Sequence, residues 1–478
     1  MESTRRAVLQ GLAGAVAVVA FDPVGRVFSS VAHADARVRI PRLDGELVFD
    51  AASRAEASED FGRIVHRAPW AVLRPGSVRD VACIVGLAHR FGLSVAMRGQ
   101  AHSVFGQAQA EAGIVIDSRT LDAIHEIDAG SILVDAGVTW RAVLTEALAN
   151  GLTPRVLTDY LDLSVGGVLS VGGVGGDSHR NGLVVDQCLE LTVVTGRGDV
   201  EVCSPTRNAR LFRAVLGGLG QYAIIVQARI RLSPARSLAR VYQLPYASLS
   251  AYLHDHRVLA ADGRFDFLQG LVAPGPSGWQ YILQGAVWYD PASPPSDAPL
   301  LAGLSPLGSS IIDLPYVAWR SRVDSFVAGW QAAGVWTTPH PWSDLFLPDD
   351  AVEDFVASAL ASLTPADVGP GVILLYPFRG RVTPTSVQTP GPGPVWLFDI
   401  LRFAPDDPAV VEAMLAANRA LLDGAVAVGG KRYPISAVRV TPADWVAHYG
   451  SAWLDVVRSK ARWDPRNTLT PGQGIFRR

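Results

Sequence analysis

Cysteine is nearly missing from this chain: Cys83, Cys188 and Cys203 are the only three in 478 residues. They are odd in number, sit in apolar or strand-like runs, and lack metal-ligand spacing. A disulfide framework is therefore excluded as the organising device. They read as buried core thiols; a single disulfide stays open, with nothing in the spacing to support it. Charge is sparse too, at 18% of residues against 49% hydrophobic, the balance of a large packed enzyme rather than a disordered chain. There is no basic excess: 42 basic and 45 acidic residues leave a net charge of −3. Such a surface has no field with which to recruit nucleic acid. No internal repeat is apparent. No G-x-G-x-x-G lies between a strand and a helix, which excludes an ordinary dinucleotide fold. The chain is too long for one core, so two domains are expected.

Long apolar runs are also lacking. The run from Ala7 to Ala20 falls short of the roughly 20 residues of a membrane span. Ser3-Thr4-Arg5-Arg6 precedes it, and the small residues Ala32, Ala34 and Ala36 follow. A charged start, a moderate apolar core and an A-x-A-like end read as a secretory leader over residues 1–36. The paired arginines point to twin-arginine export, a route for proteins already folded around a cofactor. An uncleaved membrane anchor is the alternative, and Phe21-Asp22-Pro23, which interrupts the run, argues against it. The expectation is a periplasmic or secreted protein with no stable membrane association.

What is present begins with small strand–helix units over residues 70–150. Ser77-Val78-Arg79-Asp80 resembles a capping box, Val78, Val81, Ala82, Val85 and Ala88 share one helical face, and Gly92 closes that helix. Ile114-Val115-Ile116 and Ile132-Leu133-Val134 are short strands, and Thr139 caps a second helix ended by Asn150-Gly151.

Two stretches are suited to touching a ligand. Leu93-Ser94-Val95-Ala96-Met97 reads as a buried strand and leads into a turn of small residues around His102. Gly99 and Ala101 let backbone approach a ligand closely. Taken alone, His102 is as readily a turn histidine facing water. The second stretch holds six glycines in eleven residues, Gly166 to Gly176, which excludes a helix interior or a core strand. Backbone so bare can wrap a pyrophosphate and offer N–H groups to its oxygens. The interleaved Val165, Val168, Leu169, Val171 and Val174 argue against a flexible linker.

The order Arg98-Gly99-x-x-His102-Ser103-x-x-Gly106-Gln107 resembles the flavin-attachment turn of the vanillyl-alcohol oxidase superfamily, and more narrowly that of the cytokinin dehydrogenases. The resemblance implies FAD bound covalently through His102, at the flavin 8α carbon. Gly99, Gln100, Ala101, Ser103 and Gln107 would surround it. The family usually has Gly before the histidine, and here it is Ala101. Thr158-Asp159-Tyr160-Leu161-Asp162-Leu163-Ser164-Val165-Gly166-Gly167-Val168-Leu169-Ser170 closely resembles a second family block. It implies flavin contacts from Asp159, Ser164, Ser170 and Val174, and it makes Asp159 the catalytic group facing the substrate amine. Beside Tyr160 and Leu161, that carboxylate would be partly desolvated and suited to proton exchange. Without the resemblance, Asp159 would pass for a turn residue, and Asp162 is its nearest decoy. Ile225 is implied as a contact of the adenine half of FAD, although packing explains it equally well.

Past Pro234, residues 237–433 look like the family's substrate cap. Thr338-Pro339-His340-Pro341-Trp342 matches its Pro-His-Pro-Trp segment, so Trp342 would offer an aromatic face to a flat purine. A buried structural tryptophan is the competing reading. Two departures stand out. Gln269 occupies the place where plant enzymes carry a Glu that binds the purine, and Asp344 replaces the family Asn. Both are implied substrate contacts. At the tail, Tyr433, Thr470 and Gln473 are implied to return over the flavin, the last two in a closing Thr-Pro-Gly-Gln-x-Ile-Phe.

The expected fold class is α+β: a PCMH-type FAD-binding domain over 37–236, completed by 434–478, with an α+β cap over 237–433 built on an antiparallel sheet covered by helices. The implied reaction is oxidative cleavage of the N6 side chain of isopentenyladenine-like cytokinins to adenine and an aldehyde. Hydride goes to flavin N5, and then to a quinone-type acceptor or oxygen. The rival readings are a covalent-FAD oxidase of another amine, alcohol or sugar, and a flavin-bearing binding protein without turnover.

Overall fold

The computed structural model describes residues 42–275, 278–380, 382–391 and 393–476, and the backbone of three strands before them. Those strands, Val18–Asp22, Val27–Ser30 and His33–Arg39, form a separate antiparallel sheet. Arg5-Arg6 and most of the expected leader lie outside the described residues.

The chain is α+β, in three further sheets. In the first, Ala71–Arg74 and Val95–Arg98 both run parallel to Ile114–Asp117, and the helix Val78–Phe91 makes the crossover. Gly92 ends that helix in the left-handed conformation, φ +69°. The capping box is not formed. Ser77 Oγ donates to Asp44 (2.7 Å), and the Asp80 carboxylate accepts from the N–H groups of Asp44, Gly45 and Gly76. Asp80 thus ties three loop amides together instead of capping one helix.

The second sheet is antiparallel, with the long strand Ala223–Pro234 between Cys188–Thr195 and Ser131–Asp135. Against it packs the glycine-rich block, and here the structure corrects the sequence: Val165–Val171 is an α-helix. Ser164 Oγ accepts from Gly167 N–H at its start (3.3 Å). Val165, Val168 and Leu169 supply the buried face at helical spacing. Gly166 is needed for contact, since a Cβ there would lie 2.8 Å from the Ala136 methyl. Packing against the sheet therefore offsets the cost of glycine, about 1 kcal/mol per residue in a helix.

The cap is an eight-stranded antiparallel sheet. Its two faces separate by alternation. Leu268, Ile373, Leu375, Phe398 and Ile400 pack beneath the helices Leu249–Asp262, Val352–Ser362 and Pro408–Ala427. The alternate side chains, Gln269, Leu374, Tyr376, Leu397 and Asp399, face a cavity shared with the first two sheets. A buried ion pair joins the two halves: Arg320 grips Asp177 through two bonds of 2.7 Å. The cysteines are free, Cys83 being only half-buried.

Candidate active site

The His102 turn is held from one side by the strand Val95–Arg98 and from the other by Asp60-Phe61-Gly62. Phe61 N–H donates to the Ala101 carbonyl (2.7 Å), and Gly62 N–H to that of Ser103 (3.2 Å). Ala101 sits at φ +55°, a left-handed conformation that costs an L-residue roughly 1–2 kcal/mol. The chain accepts that strain to turn His102 inward. The imidazole lies between two rings, stacked on Phe61 (4.2 Å) and Tyr160 (4.9 Å), with Trp342 edge-on (5.6 Å). Burial pushes its pKa down to about 3. At neutral pH the ring is uncharged, with a nitrogen lone pair available.

Asp60 anchors this turn. Its Oδ2 accepts from Ser103 Oγ (2.9 Å) and Gly106 N–H (2.7 Å), while Oδ1 is buried without a partner among the described residues. Burial raises the carboxyl to about 7. An acid bound more tightly to its proton in the fold stabilises fully below its unfolded value, 3.8, and loses that contribution as pH rises through about 7. Asp60→Asn keeps the acceptor and removes the charge. Its Tm is expected to gain on the unaltered protein as pH is raised from about 6 to about 9. Asp60→Ala, which strands two donors, should be destabilised by roughly 1–3 kcal/mol at either pH.

The cavity holds about 440 Å³ and is largely apolar. Gly99, Gln100, Ala101, His102, Ser103 and Gln107 line one end. Gly99 is obligatory there, because a Cβ would fall 2.0 Å from Ser164 Oγ. Asp159, Ser164, Ser170 and Val174 continue the wall, Ile225 lies further along it, and Tyr433, Thr470 and Gln473 close it. Tyr433 Oη accepts from Gly173 N–H (3.2 Å), and Thr470 N–H donates to the Val95 carbonyl (2.7 Å), so the tail reaches the His102 strand. Gln269 and Trp342 line the cap side.

Asp344 is the exception and a correction. It is fully buried and does not reach the cavity; its cross-strand partner, Asp399, lines the wall instead. The decoy Asp162 is occupied elsewhere, paired with Arg141 (2.6 Å).

The setting of Asp159 also differs from expectation. Instead of an apolar surround, its Oδ1 meets Arg322 at 2.5 Å and its Oδ2 accepts from Gln269 Nε2. Arg322 also donates to Gln269 Oε1 (2.7 Å), closing a three-membered cluster. The guanidinium rests on Trp319 (4.5 Å) and Phe267 (4.8 Å). Sequence reading missed Arg322. It stands 163 residues from Asp159, just past the helix Tyr316–Arg320 that the Asp177 ion pair fixes. No local signal marks it. The helix Val323–Ala332 and the turn after it add Phe326, Trp330 and Trp336, an aromatic lip suited to a flat ring.

The walls fit FAD. Gly99, Gly166, Gly167, Gly173 and Gly220 leave parts of the wall without side chains, and Gln473 Oε1 and Trp342 Nε1 are buried without partners among the described residues. A flavin carries both donors and acceptors for such atoms.

Comparison with known proteins points to the same cofactor. The family description "FAD binding domain" matches residues 69–204, and "Cytokinin dehydrogenase 1, FAD and cytokinin binding" matches 303–476. An uncharacterized oxidoreductase, ORF5 in the fasciation locus of Rhodococcoides fascians, is 38% identical over 420 residues, covering 87% of this chain and 95% of that one. Cytokinin dehydrogenase 4 of Oryza sativa subsp. japonica is 35% identical over 484 residues, covering 91% and 90%. Cytokinin dehydrogenase 10 of the same plant is 35% identical over 480 residues, covering 88% and 86%.

Proposed function

The chain belongs to the cytokinin dehydrogenase family of FAD-dependent oxidoreductases, and from that membership we propose that it cleaves the N6 side chain of isopentenyladenine-like substrates to adenine and an aldehyde. The observation that carries this reading is the position of Asp159. A carboxylate held by Arg322 and Gln269 shares one aromatic-lipped cavity with His102. Trp342 and the aromatic lip suit a flat purine.

The proposed division of labour is simple. FAD, tethered at His102, supplies the acceptor for the hydride; the redox chemistry is the cofactor's. Asp159 accepts the hydrogen bond of the substrate amine N–H and takes its proton as hydride leaves the adjacent carbon. Arg322 on Oδ1 and Gln269 on Oδ2 fix the plane of the carboxylate, which saves orientation entropy at the barrier. Water then divides the resulting imine into adenine and aldehyde. We assign reoxidation to a quinone-type acceptor or oxygen, and export to the twin-arginine route.

One feature favours a second reading, an oxidase of another amine, alcohol or sugar. Gln269 carries no charge with which to receive a purine N–H, and both its amide atoms are engaged within the protein. Anaerobic mixing separates the two. Isopentenyladenine is expected to bleach the flavin within seconds, and polyols to leave it yellow. Bleaching by polyols alone would overturn the cytokinin reading. Colour persisting under every candidate would point to binding without turnover.

A further inference from the structure

Two carboxyl groups unused by this scheme stand side by side in the cap sheet. Asp344 and Asp399 are directly opposed on the antiparallel strands Ser343–Pro348 and Pro394–Leu401. Their neighbours Leu345, Leu347, Phe398 and Ile400 turn to the helix-covered core, so both aspartates point to the other face. Opposed residues on one face have Cβ atoms about 4.5–5.5 Å apart. Asp344 is 0% exposed and Asp399 4%. Among the described residues, neither Asp344 oxygen nor Asp399 Oδ1 has a hydrogen-bond partner. Two like charges so close and so dry cannot both persist.

The surroundings say which group keeps the proton. Burial raises the Asp344 carboxyl to about 8, but Ser436, Arg432 and Arg402 beside it all act the other way, toward its charged form. Burial raises the Asp399 carboxyl well above the usual range, and Asp344 and Asp159 push it the same way, with nothing opposing them. Tyr376 and Tyr433 pack beside the pair, with no cation of their own to offer. Asp399 also lines the cavity, whereas Asp344 does not.

We propose that Asp344 and Asp399 share one proton, and that Asp399 presents it as an O–H donor to an acceptor atom of a heteroaromatic occupant, a ring nitrogen or a ring carbonyl. This rests on the reading of the cavity as the flavin and substrate site. The acceptor belongs either to the flavin's pyrimidine ring or to the purine, and the test separates them. An ionised Asp399 would instead repel the same acceptor, so loss of the proton turns an attraction into a repulsion.

The first measurement needs no flavin. Infrared spectra of the protein at neutral pH should contain a protonated-carboxyl band that Asp399→Asn removes. A band unchanged in that variant would overturn the proposal, whether or not the flavin assignment stands. The second uses the flavin-loaded protein, titrated with adenine across neutral and alkaline pH. For a purine acceptor, adenine affinity should fall about tenfold or more as the proton is lost. In Asp399→Asn, whose amide donates at every pH, only the probe's own titration should remain. For a flavin acceptor, adenine affinity should follow the probe alone, and the absorption maximum of the free holoenzyme should shift with pH instead. Asp344→Asn, which removes the rival carboxylate, should move whichever transition is seen to lower pH. A transition in the same place in both variants would assign it to another group and overturn the proposal.

Discussion

His102→Ala, precipitated in acid, is expected to release all its flavin into the supernatant, while the unaltered protein keeps its colour in the pellet. The physical case begins with the nitrogen. A nucleophile must offer a lone pair, and burial keeps this imidazole neutral far below physiological pH. Stacking between Phe61 and Tyr160 fixes the plane of the ring, and no hydrogen bond from the protein occupies it among the described residues. The paired backbone bonds from Phe61 and Gly62 hold the turn that presents it. Alanine removes the attachment atom but leaves these bonds and the cavity walls, so the variant should still bind flavin reversibly. Colour lost from both pellets, or retained in both, would remove the tether from this account.

Asp159→Asn should keep its flavin and bleach about 10²–10⁴-fold more slowly with substrate, the span that a positioned acid–base group contributes. Asparagine preserves size and an acceptor for Arg322, so a loss of rate reports the proton acceptor rather than a collapsed site. Rapid anaerobic mixing reads the step directly, free of reoxidation. A rate within about threefold of the unaltered protein would mean that the proton leaves by another path. The salt bridge to Arg322 sharpens the expectation. Removing one member of a half-buried pair strands the other, so Arg322→Ala should also cost rate, through misorientation of the carboxylate rather than its absence.

Much of the frame is visible in one dimension because its signals are local. The 3.6-residue spacing of Val78, Val81, Val85 and Ala88 with Gly92 beyond it defines a helix that forms as read. Gly198, at φ +90°, lets the chain turn between two antiparallel strands. The glycine-rich block misleads because composition suggested bare loop, while sheet packing against Ala136 made a helix of Val165–Val171. The Ser77 capping box fails for a related reason: Asp80 found two amides of a distant loop, those of Asp44 and Gly45, and the nearby amide of Gly76 to satisfy.

By itself, the sequence determined the α+β class and, through the order of its motifs, the family, since these follow from periodicity and motif order; that His102 turns inward, between Phe61 and Tyr160, only the structure decided. Tertiary structure alone decided the electrostatics. Arg322 reaches Asp159 across 163 residues, and Asp344 meets Asp399 only because two strands pair in one register. Charge acts through distance and burial, and neither is written in the spacing of residues along a chain.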